Sequence, residues 1–389
     1  MKDNTRIEQE AISLVKREKN DWQDAVAFIT DKVAFNMRNL IRQLRKNYWG
    51  IFNDPLDSVT GQKKTWVPLT EFVVESTIKN IDLDTKDINF RAKKAKSTGV
   101  TSLIRHIVKN RLDEMNFGEY LDEMERVLAI DGTAVWKTIE ETDGNGKKVM
   151  LIRNVDLLNF YIDPVARSIS EATSVIERSI MTPDEVRAMT GWKNTDGIMG
   201  TFDVSPIDDN RNMSMNTRGE TALVEVYERW GKMPKSLVTG KSKDEAQEEY
   251  VEGRIIVSNL EKDPKVHLIE LNEKKDCDGN PLRPYEECWL TRIPNRWYGK
   301  GQAEKVMDLQ EYSNLVLNVR KTRALVSQLG LFKVRKGSGV TAQMVSRLAA
   351  NGAIQVTNMD DIQQLPMQDA SPSSYKDEEV IQSWSAKVT

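Results

Sequence analysis

The stretch "RPYEECWLTRIPNRWYGKGQAEKVMDLQEYSNLVLNVRKTRALVSQLG", Arg283 to Gly330, decides the fold. Its first part is extended and apolar. It turns at Tyr298-Gly299-Lys300-Gly301 and enters a helical pattern of 29 residues, Gly301–Leu329. At ~1.5 Å per residue that rod is roughly 44 Å long, more than the width of many small domains. Glu304, Asp308 and Glu311 sit in its first half, and Arg320, Lys321 and Arg323 in its second. Terminal charges of this polarity each gain about 0.3–1 kcal/mol from the helix dipole. Gln310, Asn314 and Asn318 form an uncharged amide row at i+4 spacing. Val306, Leu309, Val316, Val319, Leu325, Val326 and Leu329 supply an apolar surface too broad for one neighbour. A buried central helix of one domain would look like this, and so would a helix packed against copies of itself. The breadth of the surface favours the second.

Downstream, "GLFKVRKGSG" reads as a strand, "TAQMVSRLAANG" as a short helix, and "AIQVTN" and "IQQLPM" as strands. "SPSSYKDEEVIQSWSAKVT" starts another helix, with Ser371 as N-cap and Pro372 at the next position. Its apolar face of Val380, Ile381 and Trp384 is begun and not completed, so the chain is expected to end inside an element. The order is a stalk, a knob and a returning stalk.

Upstream, the first third reads as mostly helical. Thr5–Trp49 is predicted to be helix broken near Asp21, with Trp22, Val26, Ile29, Val33, Met37, Leu40, Ile41 and Leu44 at spacings of three and four. "VPLTEFVVESTIKNI" is a second helix. "TSLIRHIVKNRLDEMNF" and "GEYLDEMERVLAIDG" form a helical hairpin turning near Gly118. The middle then changes period. "TAVWKTIEETDGNGKKVMLIRNVD" reads as two strands around Asp143-Gly144-Asn145-Gly146. "TALVEVYERWGK", "YVEGRIIVSN", "KVHLIEL" and "CWLTRIP" are further strands. In "MTPDEVRAMTG" Thr182 caps a short helix, Pro183 follows it and Gly191 lies past its end. Lys193–Gly219 is polar and without period, a long loop. Helices followed by strands predict an α+β domain.

Composition narrows the function. Hydrophobic residues are 39%, against about 45–50% for globular proteins counted with glycine, which suits an extended or multi-part protein. Nine tryptophans argue against disorder. The net charge is −3, so nothing global suggests a tight grip on DNA phosphates. Neither a signal peptide nor a run of ~18 uncharged apolar residues is evident, which predicts a soluble protein with no membrane partner. Cys277 and Cys288 are expected as free thiols, with a disulfide across a hairpin left open.

No catalytic constellation emerges. His106 lies in a helical apolar run and His267 in a strand, neither beside a second ligand. "TGKS" at Thr239–Ser242 lacks the glycine of a phosphate-binding loop, since Lys235 stands in its place. "DCDGN" lacks the later ligands of a calcium loop, having Pro281, Leu282 and Arg283. Asp82, Asp84 and Asp87 read as a solvated loop, with divalent metal the other reading. The expectation is no enzyme, no cofactor and no metal.

The phrases "NFYIDPVA", "MTPDEVRAM", "VEVYERW", the opening stretch as far as "NVRK", and "FKVRKGSGVTAQMVSRLAANGAIQVT", in that order from Phe160 to Thr357, resemble bacteriophage portal proteins, the head–tail connectors. The resemblance implies a portal-like α+β fold: a mixed helix and antiparallel-sheet wing, 1–298 (helical to about 130, β-rich over 131–298), a descending stem helix, 301–329, a small α/β clip, 330–368, and the start of an ascending stem, 371–389. The rest of that stem, a tunnel loop and a crown would lie beyond this chain. It implies a ring of twelve copies at one capsid vertex of the virion, assembled in the host cytoplasm. That ring would be a channel for double-stranded DNA in packaging and ejection, with terminase motor, major capsid protein and tail adaptor as partners. On that reading Lys333, Arg335, Lys336 and Arg347 are candidates for contacting a partner or DNA at the clip. Gln310, Asn314, Asn318, Arg320, Lys321 and Arg323 are candidates for facing the channel or a neighbouring subunit. Another virion structural or scaffold-type protein, or a nucleic-acid enzyme, are the alternatives.

Overall fold

In the computed structural model the described residues are 2–30, 33–57, 61–81, 88–92, 98–142, 148–201, 223–239, 249–275, 279, 281–294, 296–329, 331–336, 362–365 and 372–388. They divide into two compact units. One is Met1–Gln43 with Ile81–Gly301, the other Leu44–Asn80 with Gln302–Thr389.

The first unit begins with α1 (Lys2–Asp21) and an antiparallel pair, β1 (Val26–Thr30) and β2 (Val33–Asn36), then enters α2 (Met37–Trp49). The helix expected to run on from Trp22 is therefore a hairpin. Apolar residues at Val26, Phe28 and Ala34 fit a period of two, and the β-branched and aromatic residues Val26, Phe28, Ile29, Val33 and Phe35 favour strand. Ala25, at φ 48°, takes the chain out of the helical path. Asn36 then caps α2, its side-chain oxygen accepting from Asn39 N at 3.1 Å.

Helices α4 (Thr98–Glu114) and α5 (Phe117–Asp131) form the expected hairpin. Its turn is at Asn116, in the left-handed region at φ 52°, and not at Gly118. Asparagine is among the few residues that tolerate that region. Strands β3 (Thr133–Thr142) and β4 (Lys148–Val155) pair as predicted, with β10 (Tyr285–Trp289) on the other edge of β3. That last strand lies earlier than the expected "CWLTRIP", and it places Cys288 opposite Ala134 as a free thiol. Cys277 lies outside the described residues.

A five-stranded antiparallel meander follows in chain order: β5 (Phe160–Ile162), β6 (Ser174–Met181), β7 (Val224–Pro234), β8 (Tyr250–Ser258) and β9 (Lys265–Leu271). The short helix α6 (Pro183–Ala188) carries the predicted Thr182 cap, with Glu185 returning the bond as a capping box. A single turn, α7 (Ser236–Thr239), lies between β7 and β8. Phe160 joins the two sheets, stacking on Trp297 at 5.7 Å and meeting Tyr285 edge-on at 5.3 Å. Val135, Val155, Leu157 and Val175 complete that core. Ala11 and Val15 of α1 cover Ile255, Val257 and Val266 of β8 and β9. Each such aliphatic side chain contributes about 1.5–3 kcal/mol when fully buried.

The second unit holds α3 (Leu69–Ile81), α8 (Gln302–Leu329), the antiparallel pair β11 (Leu331–Val334) and β12 (Ile362–Leu365), and α9 (Pro372–Val388). Helix α9 packs along α8 and buries Ile381 and Ser385. Residues 44–80 group with this unit. The helix expected at "TAQMVSRLAANG", the strand at "AIQVTN" and the Ser371 cap lie outside the described residues. Among the described residues no helix is long and apolar enough to cross a membrane, and no three His, Cys, Asp or Glu side chains gather as metal ligands.

Candidate functional site

The turn that launches α8 is a glycine-packed joint inside the first unit. Gly132, at φ 80°, ends α5 and donates to Leu128 O. Gly299 and Gly301 press against it: a Cβ at Gly301 would lie 2.5 Å from Ile130 O and 2.9 Å from Gly132 N. Gly299 N donates to Thr133 Oγ1 at 2.7 Å, and Lys300 N to Thr291 O at 2.8 Å. Buried Arg296 ties the loop from within, donating to Tyr298 O and Gly299 O at 2.6 and 2.9 Å. The "YGKG" spacing thus answers a steric demand for bare backbone on both sides.

In the second unit the amide row of α8 reads an extended segment of its own chain. Asn318 Oδ1 accepts from Thr65 N at 2.7 Å and its Nδ2 donates to Thr65 O at 2.9 Å. Asn314 Oδ1 accepts from Val67 N at 2.9 Å. Gln310 donates to Val67 O at 2.6 Å and accepts from Thr70 N at 2.9 Å. The match is metric. Four helical residues rise about 6 Å, close to two residues of strand at about 6.6 Å. An i+4 row therefore meets every second residue of an extended chain. Lys321 extends the pattern, donating to Lys63 O at 2.7 Å. Gln310, Asn314, Asn318 and Lys321, the candidates for facing a channel or a neighbour, have polar groups engaged within the chain. Sequence reasoning missed the segment Lys63–Thr70. Its signals were the amide spacing itself and Pro68, which holds Val67 extended.

What α8 leaves outside is different. Tyr312, Leu315 and Val319 are 45, 59 and 42% exposed, in a row that starts at exposed Asp308 and ends at exposed Arg323. On α9, Val380 and Trp384 are also exposed. Arg320 is half-buried and lines a groove of about 220 Å³ with Trp66, Pro68, Val316, Leu317 and Ile381. Lys333, Arg335 and Lys336 are exposed along and just past β11. Arg347 lies outside the described residues.

In the first unit one cluster of buried charge is matched within the chain. Lys137 donates to Glu177 at 2.6 Å and to Glu228 at 2.5 Å. Arg153 pairs with Glu177, and Arg254 with Glu228. Burial alone would raise Glu228, but Lys137 and Arg254, with hydrogen bonds from Lys137 and Trp230, hold it down at about 2. Lys137, Arg153, Glu228 and Arg254 line a cleft of about 1040 Å³ in the first unit. His267 is buried against Trp192, its Nδ1 at 2.7 Å from Lys193 O and its Nε2 at 2.8 Å from Ser258 Oγ. Burial lowers its pKa. His106 is exposed on α4. Asp82, Asp84 and Asp87, and most of the "TGKS" and "DCDGN" segments, lie outside the described residues.

A family model described as phage SU10 portal protein matches residues 107–389. No curated protein matches the chain. The matched span runs from α4 through the β-rich sheets and the glycine joint to the last helix, so this chain belongs to the phage SU10 portal protein family, structural proteins of the bacteriophage virion.

Proposed function

We propose that this protein forms a closed ring, of twelve copies, at one capsid vertex. The ring is a channel through which double-stranded DNA is packaged and later ejected, and a platform for terminase and for a tail adaptor. The first unit corresponds to the wing, α8 to the descending stem, residues 330–368 to the clip and α9 to the ascending stem. The family match carries this reading, and the unpaired apolar row of α8 supports it. A ring needs two different, mutually complementary faces on every copy. Tyr312, Leu315 and Val319, with an acidic residue at one end and a basic one at the other, supply one such face. A near-neutral protein also suits a conduit, because each strong phosphate contact adds salt-dependent affinity that would slow passage.

Lys333, Arg335 and Lys336 are proposed as the docking edge for the motor or adaptor. Negative-stain images of the purified protein test the whole reading. Rings with a central hole wide enough for duplex DNA are expected, and a population of monomers at all concentrations would overturn it.

A further inference from the structure

The corner Trp192–Asn194, which follows α6, is pinned to β9 around one histidine. His267 is 1% exposed. The Trp192 indole stacks on its imidazole, 5.2 Å between centres and 20° between planes. A carbonyl can only accept, so Nδ1 carries the proton and donates to Lys193 O at 2.7 Å. Nε2 is then bare and accepts from Ser258 Oγ of β8 at 2.8 Å. Beside the imidazole, Lys193 N donates to His267 O and Asn194 Nδ2 to Val266 O, both at 2.9 Å. Farther along, Ile198 is buried among Val186, Val224 and Ile256, and Asn259 Nδ2 donates to Met199 O at 3.0 Å. The segment is thus anchored by apolar packing at its far end and around the histidine at its near end.

The Ser258 bond requires a neutral imidazole. A second proton on it would meet the Ser258 hydroxyl proton head-on. Ser258 is fully buried and makes no other side-chain hydrogen bond among the described residues, so its proton, turned away, would lack an acceptor. Charged groups face the site from several elements. Lys265, on the same strand, opposes a positive imidazole. Glu8 of α1, which accepts from Asn194 Nδ2 at 3.3 Å, favours one. Lys193 and Asp196 of the segment itself are exposed. From β8 comes the uncharged Ser258 and from α7 the uncharged Thr239. Burial prevails, and His267 holds its proton less tightly than a free histidine.

We propose that Trp192–Asn194 is an acid-released latch: protonation of His267 frees the corner from β9, and Trp192 leaves the wall of the cleft of about 1040 Å³ that it lines. The apolar floor beneath it, Val226 and Ile256, is then uncovered. The closed corner binds the proton weakly and the open, hydrated one binds it near the ordinary 6.5. Closure is therefore fully favoured above 6.5 and weakens as pH falls from there through the lowered value. The latch lies within the first unit and does not depend on the ring reading.

Hydrogen exchange of the full chain, read by mass spectrometry from about pH 7.5 to about pH 5 and corrected for the intrinsic exchange rate, tests this. The Lys193 amide reports opening, because its bond to His267 O breaks when the corner lifts. Its opening equilibrium is expected to rise by up to about tenfold per pH unit below 6.5, while peptides of β7 stay unchanged. His267→Gln keeps a donor and an acceptor but cannot titrate, and is expected to flatten the profile. Asn194→Ala, at an exposed position, is expected to raise opening at every pH and keep the wild-type slope. A flat wild-type profile overturns the proposal, and so does an equal slope in His267→Gln. Loss of protection in β7 in step with Lys193 also overturns it, since the opening would then be global. Where His267→Gln fails to fold, the slopes of wild type and Asn194→Ala decide alone.

Discussion

Lys137 holds two buried glutamates at once, which makes the first unit sensitive to its substitution. Lys137→Met would leave Glu177 and Glu228 facing each other with only peripheral arginines. A loss of about 3–5 kcal/mol is expected, read by urea unfolding. The same network sets an acid limit. Glu228 is held at about 2 in the fold against 4.5 for an unperturbed glutamate. Above 4.5 both folded and unfolded states are ionised and the full stabilisation is present. As pH falls from 4.5 towards 2, the unfolded chain takes up the proton first, so stability declines across that window. Glu228→Gln should flatten the decline, and pH-dependent urea midpoints check it. His267 behaves in the same direction at higher pH. The Lys193 carbonyl fixes the proton on Nδ1 and leaves Nε2 to accept from the Ser258 hydroxyl. Its lowered pKa means the unfolded state protonates first as pH drops below 6.5.

Among the elements, α8 depends on two devices of different kinds. The glycine joint is steric. Gly301→Ala would push a methyl group to 2.5 Å from Ile130 O and 2.9 Å from Ala129 O, both backbone atoms that cannot swing aside. A loss of about 1–3 kcal/mol is expected, with a lower Tm. The amide row is a polar ladder. Gln310 is fully buried and serves Val67 and Thr70 together. Gln310→Ala would strand those backbone groups at about 1–3 kcal/mol. Hydrogen exchange should then show faster exchange at Thr70, whose amide donates to Gln310, while amides of β7 and β8 stay protected. Both devices had sequence signatures, the "YGKG" spacing and the i+4 amides. The first was read as a turn, which it is. The second carries no sign, within one helix, of which segment of the chain lies across from it.

For the molecule as a whole, the decisive surface is what α8 keeps outside. Leu315→Glu places a charge in the middle of the exposed row without touching the amide ladder. It is expected to shift the protein from rings to monomers in analytical ultracentrifugation while Tm falls little. Reversing Arg335 and Lys336 to Glu is expected to leave the ring intact and weaken motor docking, measured as packaging in vitro; unchanged packaging would remove the clip from the docking surface. Assembly and docking are thereby separated by mutations in different elements.

Local pattern determined much of this protein. The rod after Tyr298, the capped helix at Thr182, the strand pair around Asp143–Gly146 and the α+β order were written in apolar period, turn residues and capping residues, all of which act within a few positions of the chain. Tertiary structure alone decided the hairpin at Val26–Asn36, where one apolar spacing fits both helix and strand and the sheet settles the choice. It also decided that residues 63–70 lie along α8, and that Arg38 is buried over the Tyr161 ring. Those outcomes depend on which distant groups meet. A hydrogen bond between Thr65 and Asn318 is invisible to any window that does not span both residues.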